Sequence, residues 1–119
     1  MKTMVTLAAL LAVAAPARAH HGNASTENKT VVMKATVTEW QWTNPHTFLY
    51  VRDAAGTRWA FEGMSPNHLS RAGWSKRSLT PGEHIDLTYY KLRDGRHGGF
   101  NVTVTRANGT TLAQLPVRT

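Results

Sequence analysis

The 119-residue chain has no cysteine, only 7 acidic residues against 14 lysines and arginines, and no apolar run that could span a bilayer. The missing cysteine excludes disulfide staples, thiol catalysis and thiolate metal sites, and it leaves no lipobox for acylation. The acidic residues are spread singly, at Glu39, Asp53, Glu62, Glu83, Asp86 and Asp94 beyond Glu27, so no paired-carboxylate acid/base site can be read. Gly-x-Ser-x-Gly, His-Glu-x-x-His and phosphate-cradling loops are absent too. Catalysis is not expected. There is no internal repeat and no low-complexity linker, so one small domain is expected, stabilised by packing alone.

What is present begins with a leader. Residues 1–19 hold Lys2 and Arg18, no acid, and a nearly unbroken apolar stretch from Val5 to Ala15. This is the order of a secretory signal, with an apolar core well short of the ~20 residues a membrane span takes. Ala15-Pro16-Ala17 and Ala17-Arg18-Ala19 both satisfy the small-x-small cleavage rule, and the second is preferred, giving a mature chain that starts at His20. With Lys2 and Arg18 gone, 12 basic and 7 acidic side chains remain. A basic periplasmic or secreted protein is expected, with no transmembrane segment in its mature chain.

Residues 20–30 are polar and aperiodic and read as a flexible N-terminal arm; residues 31–119 read as the folded domain. Val31, Met33, Ala35 and Val37 alternate with Thr and Lys, the period of a strand buried on one face. The apolar parity then shifts to Trp40 and Trp42, which predicts a bulge near Thr38. After the break at Thr43-Asn44-Pro45, residues 46–51 form a second strand. Asp53-Ala54-Ala55-Gly56 is a turn, and residues 57–62 a third strand with Trp59 and Phe61 on one face. Ser65 before Pro66, with Gly73 beyond, predicts a short capped helix. Leu79-Thr80-Pro81-Gly82 is a turn into a fourth strand carrying Ile85, Leu87 and Tyr89. A fifth carries Phe100, Val102 and Val104, and Asn108-Gly109 closes a last small hairpin.

Three strands, a helix between strands 3 and 4, and two more strands is the order of a mostly β, five-stranded OB-like Greek-key barrel. A split sandwich with a helical corner has the same strand count. Four Asn-x-Ser/Thr triplets, at Asn23, Asn28, Asn101 and Asn108, read as ordinary strand and turn residues.

Several motifs recur together in one order: His20-His21, Trp42-Thr43-Asn44-Pro45-His46, Trp59-Ala60-Phe61-Glu62, Ser65-Pro66-Asn67 with Arg71-Ala72-Gly73-Trp74, and Leu79-Thr80-Pro81-Gly82. In this the chain resembles a family of small exported bacterial proteins classed as a domain of unknown function. The resemblance covers nearly all of the mature chain and implies a bacterial periplasmic protein with a small β-barrel fold. It brings no activity, substrate or catalytic residue with it. The acidic stretch associated with the arm in that family is reduced here to Glu27.

Two constellations carry binding chemistry. Cleavage after Ala19 gives His20 a free α-amine beside its own imidazole, a chelating pair to which His21 adds a second imidazole. Amine and imidazole both lose protons to a metal near neutral pH, and a planar nitrogen set suits Cu(II) best. A third imidazole would come from the fold, with His46 first among His46, His68, His84 and His97. His46 has a bland alternative, a turn lock bonded to backbone beside Pro45. The second constellation is aromatic: Trp40, Trp42, Phe48, Tyr50, Trp59 and Phe61, most of them needed for the core. Trp42 and Tyr50, with Asn44, are the candidates for ligand contact beside the Asn-Pro-His turn.

Two functions follow as expectations. The first is a periplasmic binding module holding a copper-like ion through His20, His21 and His46. The alternative is a metal-independent envelope module whose aromatic and basic barrel face meets a protein, a glycan or anionic lipid. Export argues against nucleic acid as the partner.

Overall fold

The structure, a computed structural model, describes residues 25–114. The segment read as a secretory leader with its expected cleavage site, His20 and His21 lie outside the described residues, as does the chain after Gln114.

Six strands and one helix follow in the order β1 (Thr26–Gln41), β2 (Phe48–Arg52), β3 (Arg58–Glu62), α1 (Pro66–Arg71), β4 (His84–Leu92), β5 (Gly98–Arg106) and β6 (Thr111–Ala113). Neighbours run β3-β2-β1-β4-β5, and a parallel β3–β5 pairing closes the ring, leaving β6 outside it on β5. This is the closed five-stranded mixed barrel with OB-like strand order. The β3–β5 ladder, Ala60 to Gly98 through Glu62 to Phe100, excludes the split sandwich, whose two sheets would not join there.

Closure depends on the length of β1, whose first part pairs with β4 and whose last part pairs with β2. The register slips between Val37 and Glu39, placing the extra residue at Thr38, where the apolar parity changes. A bulge bends and twists the strand, as a sixteen-residue strand must to serve two partners around a small ring. β1 also starts inside the segment read as an arm. Thr30 pairs with Tyr90, and Arg93 ties down the strand's beginning, its Nε donating to the Thr26 carbonyl at 2.7 Å and its Nη2 to Asn28 Oδ1 at 3.3 Å. Backbone pairing requires no apolar period, so the polar sequence of residues 26–30 gave no sign of it.

A second slip, between Thr88 and Tyr89, gives β5 an extra residue, so that Asn101 and Val102 are both fully buried. The core gathers Phe61, Leu49, Leu87, Val37, Val51 and Val104. Burying a side chain such as Phe61 contributes roughly 1.5–3 kcal/mol.

α1 closes one end. Ser65 caps it, accepting from the His68 amide at 3.2 Å, Pro66 opens it, and Gly73 leaves it with φ +89. Six residues are too few to be helical alone, so packing holds it, through fully buried Leu69. Trp74 follows, its Nε1 donating to the Ala113 carbonyl at 3.0 Å and its ring 5.5 Å from Trp40.

Candidate functional site

The β1–β2 connection carries His46 over the end of the barrel. Thr43 Oγ1 donates to the His46 carbonyl at 2.8 Å, a local lock around the cis Asn44–Pro45 peptide. Next to it Thr47 is fully buried, its amide and hydroxyl both donating to the Met64 carbonyl while its own carbonyl accepts from Gly63 N at 2.8 Å. These bonds fix the backbone on which the imidazole is mounted. His46 Nδ1 lies 3.1 Å from the Gly63 carbonyl and 3.2 Å from Glu62 Oε1. The main-chain carbonyl can only accept, so Nδ1 is the donating nitrogen, and in the neutral tautomer that this bond selects the lone pair lies on Nε2. The bond reaches seventeen residues along the chain, so His46 is a bridge to the end of β3 as well as a turn residue.

The remaining residues singled out in the sequence are distributed differently. Asn44 is exposed. Trp42 is half-buried against the core, with its ring 5.9 Å from Trp40. Tyr50 pairs with Glu39 while core Leu49 pairs with Trp40, so Tyr50 stands on the outer face and Trp42 follows the inner one. The two do not form a pair. The ring stacked on Tyr50 is Phe48, at 6.5 Å between centroids and 24° between planes. Residues two apart on one strand share a face, so Phe48 and Tyr50 stand together, whereas Trp42 and Tyr50 are separated by the bulge-shifted register.

The other histidines are scattered. His68 Nε2 is 3.3 Å from the Gln114 carbonyl, His84 Nδ1 is 3.1 Å from Thr36 Oγ1, and His97 sits with its ring 4.9 Å from Trp59. Among the described residues no three His, Asp or Glu side chains come together as a metal site.

Two groupings went unseen in the sequence. Beneath His46, Gln114 Oε1 accepts from Met64 N at 2.7 Å, and a Cβ on Gly63 would strike the Thr47 hydroxyl and the Gln114 amide at 2.5–2.8 Å. At the opposite end Asp53 accepts from Ala55 N, Thr57 N and Trp59 Nε1, each at 2.9 Å. The Trp59 bond, the two backbone bonds and the nearby His97 hold the Asp53 carboxyl below its ordinary value. Tyr89, packed on Phe61 and Trp59, is pushed up by burial and then by the Asp53 charge. Between this end and the bulge of β1 lies a groove of about 280 Å³ bounded by Thr38, Glu39, Tyr50, Arg52, Arg58 and Trp59, among others.

The structure is thus a small OB-like barrel with an imidazole fixed at one end and an aromatic, arginine-bearing outer face. Residues 8–101 match the model of a family of unknown function, DUF6152, and the chain belongs to that family. Neither a curated protein nor a solved structure matches it. No helix among the described residues is long and apolar enough to cross a membrane.

Proposed function

We propose that the chain is a small exported binding module that captures a Cu(II)-like ion through the α-amine and imidazole of His20, the imidazole of His21, and His46. The observation that carries this reading is the mounting of His46. A metal-ligating histidine characteristically donates its other ring N–H to a carboxylate or a main-chain carbonyl, which fixes the tautomer and makes the ligating nitrogen more basic. His46 Nδ1 has both kinds of partner within 3.2 Å, on a loop that Thr43 and Thr47 hold in place. The role is binding or delivery of the ion.

The test is competitive Cu(II) titration of processed protein, its N-terminus confirmed by intact mass, beside a form with one extra residue before His20. Sub-nanomolar binding is expected for the first and its loss for the second. His46→Ala should then weaken binding at least tenfold, and Glu62→Gln, which keeps the shape but removes the charge behind His46, about tenfold. Equal, weak binding by both N-terminal forms refutes the reading. A second, metal-independent reading, recognition by the outer face of the barrel, is favoured by the Phe48–Tyr50 stack beside the groove.

A further inference from the structure

We propose that the outer face of β2 and β3 is a binding trough for an acidic glycan, with sugar rings on Tyr50 and Phe48 and a carboxylate on Arg52 and Arg58. This rests on the metal-independent reading and names its ligand class. Alternation puts Phe48, Tyr50 and Arg52 on the outer face of β2, since Leu49 and Val51 between them are core. Residues two apart on a strand are about 6.6 Å apart, a spacing on the scale of a sugar ring. Opposite them on β3 stand Glu62, Ala60 and Arg58.

The middle of the trough is low. Ala60, across from Tyr50, pairs on its other side with Gly98, where a Cβ would meet the Ala60 carbonyl at 2.5 Å. The floor beside the Tyr50 ring is therefore the Ala60 methyl group, with Leu92 Cδ1 lying over buried Gly98 beyond it, 3.3 Å from where a Cβ would stand.

Each end of this strip selects chemistry. Arg52 and Arg58 are directly paired across the strands, and neither is in an ion pair among the described residues. Arg52 Nη1 donates to the Gly56 carbonyl at 3.0 Å, which orients its guanidinium before any ligand arrives. Two adjacent guanidiniums repel one another and an anion between them relieves it. Along the other wall, Glu39 pairs with Tyr50 and Gln41 with Phe48, and Gln41 Nε2 donates to Glu39 Oε1 at 3.0 Å. Carboxylate and amide groups beside an aromatic platform suit sugar hydroxyls, which both donate and accept.

The same features disfavour other anions. A phosphodiester group carries no hydroxyl for Glu39 and Gln41 to meet, whereas a uronate sugar offers both a carboxylate for the arginine end and ring hydroxyls for that wall. A lipid surface calls for protruding apolar side chains. Those on this face lie half-buried, while exposed Val31 and Val32 are on the part of β1 that pairs with β4.

The experiment is isothermal titration of the processed protein, in chelator so that metal takes no part, with hexagalacturonate, neutral maltohexaose, and phosphatidylglycerol vesicles. Hexagalacturonate should bind, maltohexaose should bind at least about tenfold more weakly, and added salt should weaken the acidic ligand most. Tyr50→Ala, Arg52→Gln and Arg58→Gln should each lower hexagalacturonate affinity about tenfold with an unchanged thermal midpoint, and Arg58→Lys should recover part of the loss. Equal binding of acidic and neutral sugars, or acidic-sugar binding untouched by all three variants, overturns the proposal. Vesicle binding that these variants abolish, without hexagalacturonate binding, also overturns it while leaving the outer-face reading standing. No binding of any probe overturns the proposal.

Discussion

The two ends of the barrel are built by different means. Beneath His46 the polar bonds join residues far apart in sequence: Met64 N to Gln114 Oε1 spans fifty residues, His68 to Gln114 forty-six, and Thr47 Oγ1 to the Met64 carbonyl seventeen. At the β2–β3 hairpin they are local, while in the β4–β5 connection a local Asp94–Arg96 pair stands beside Arg93, which reaches back to Thr26 and Asn28 at the start of β1. Asp53 binds residues two, four and six ahead, and Asp94 binds Arg96. A long-range brace makes an end rigid only when the barrel is complete; a local turn holds its shape with little help from the fold. The braced end is where the proposed metal ligand stands, since a ligand needs fixed geometry, and the locally built end borders the trough, where exposed loops can adapt.

Glycine substitutions offer the largest test of that contrast. A Cβ on Gly99, within the β4–β5 ladder, would overlap the Tyr90 carbonyl, and on Gly63, at the braced end, it would meet Thr47 and Gln114; neither site has room without moving its neighbours, and the comparison of the two ends is Gly63 against Gly56. Gly99→Ala should cost about 3 kcal/mol or more and Gly63→Ala about 2–3 kcal/mol. Gly56→Ala, in the Asp53 turn, has φ +82 and nothing within 4 Å of an added Cβ, so only backbone strain of about 1–2 kcal/mol is expected. Chemical denaturation of the three variants checks the order. A Gly56 variant as damaged as Gly63→Ala would end the distinction between the two ends.

The contrast also explains what could be read from the sequence. Bonds confined to a few residues leave a local signature: Asp53 to Gly56, the Ser65–Pro66 cap and Gly73 were all legible, and the Thr38 bulge was visible as a change of parity. The closed OB-like order followed from the element sequence. Long-range pairs leave no such signature. Gln114 is a buried polar residue near the end of the described chain, and nothing in its neighbourhood announces Met64 as its partner. His46 was legible as a candidate because Asn44-Pro45 marks a rim turn, but its attachment to Gly63 and Glu62 required the register of β2 with β3. Phe48 and Tyr50 share a face by plain alternation along β2, while the face of Trp42 relative to theirs depends on the β1–β2 register that the bulge shifts.

An intermediate effect is expected at the aromatic junction of the braced end. Trp40 Nε1 donates to the Ser75 carbonyl at 3.0 Å, and its ring meets both Trp42 and Trp74. Trp40→Phe removes the bond and part of the ring while keeping an aromatic side chain. A loss of about 1–2 kcal/mol is expected, from the hydrogen bond and reduced packing together. If the trough at the other face is independent, sugar binding should be unchanged in this variant, which titration on the folded protein measures directly.

The smallest effect is the pH response of the local end. Asp53 and Asp94 both have carboxyls held below the ordinary 3.8, Asp53 chiefly by the Trp59 bond and Asp94 chiefly by the Arg96 amide and side chain. A carboxylate with a depressed folded value binds fewer protons than it does in the unfolded chain. Its contribution to stability is therefore present above about pH 4 and is lost as pH falls through the folded value. Both groups lie near solvent, so the change is modest. Denaturation midpoints between pH 5 and 2, taken for the parent and for Asp53→Asn, should fall toward acid in both, but less steeply in the variant because one titrating group has gone. Trp59→Phe should flatten the same limb, since it removes the largest cause of the Asp53 shift, whereas Trp40→Phe at the braced end should leave the slope as it is. Parallel acid limbs in parent and Asp53→Asn would mean that Asp53 holds its turn without its charge contributing to stability.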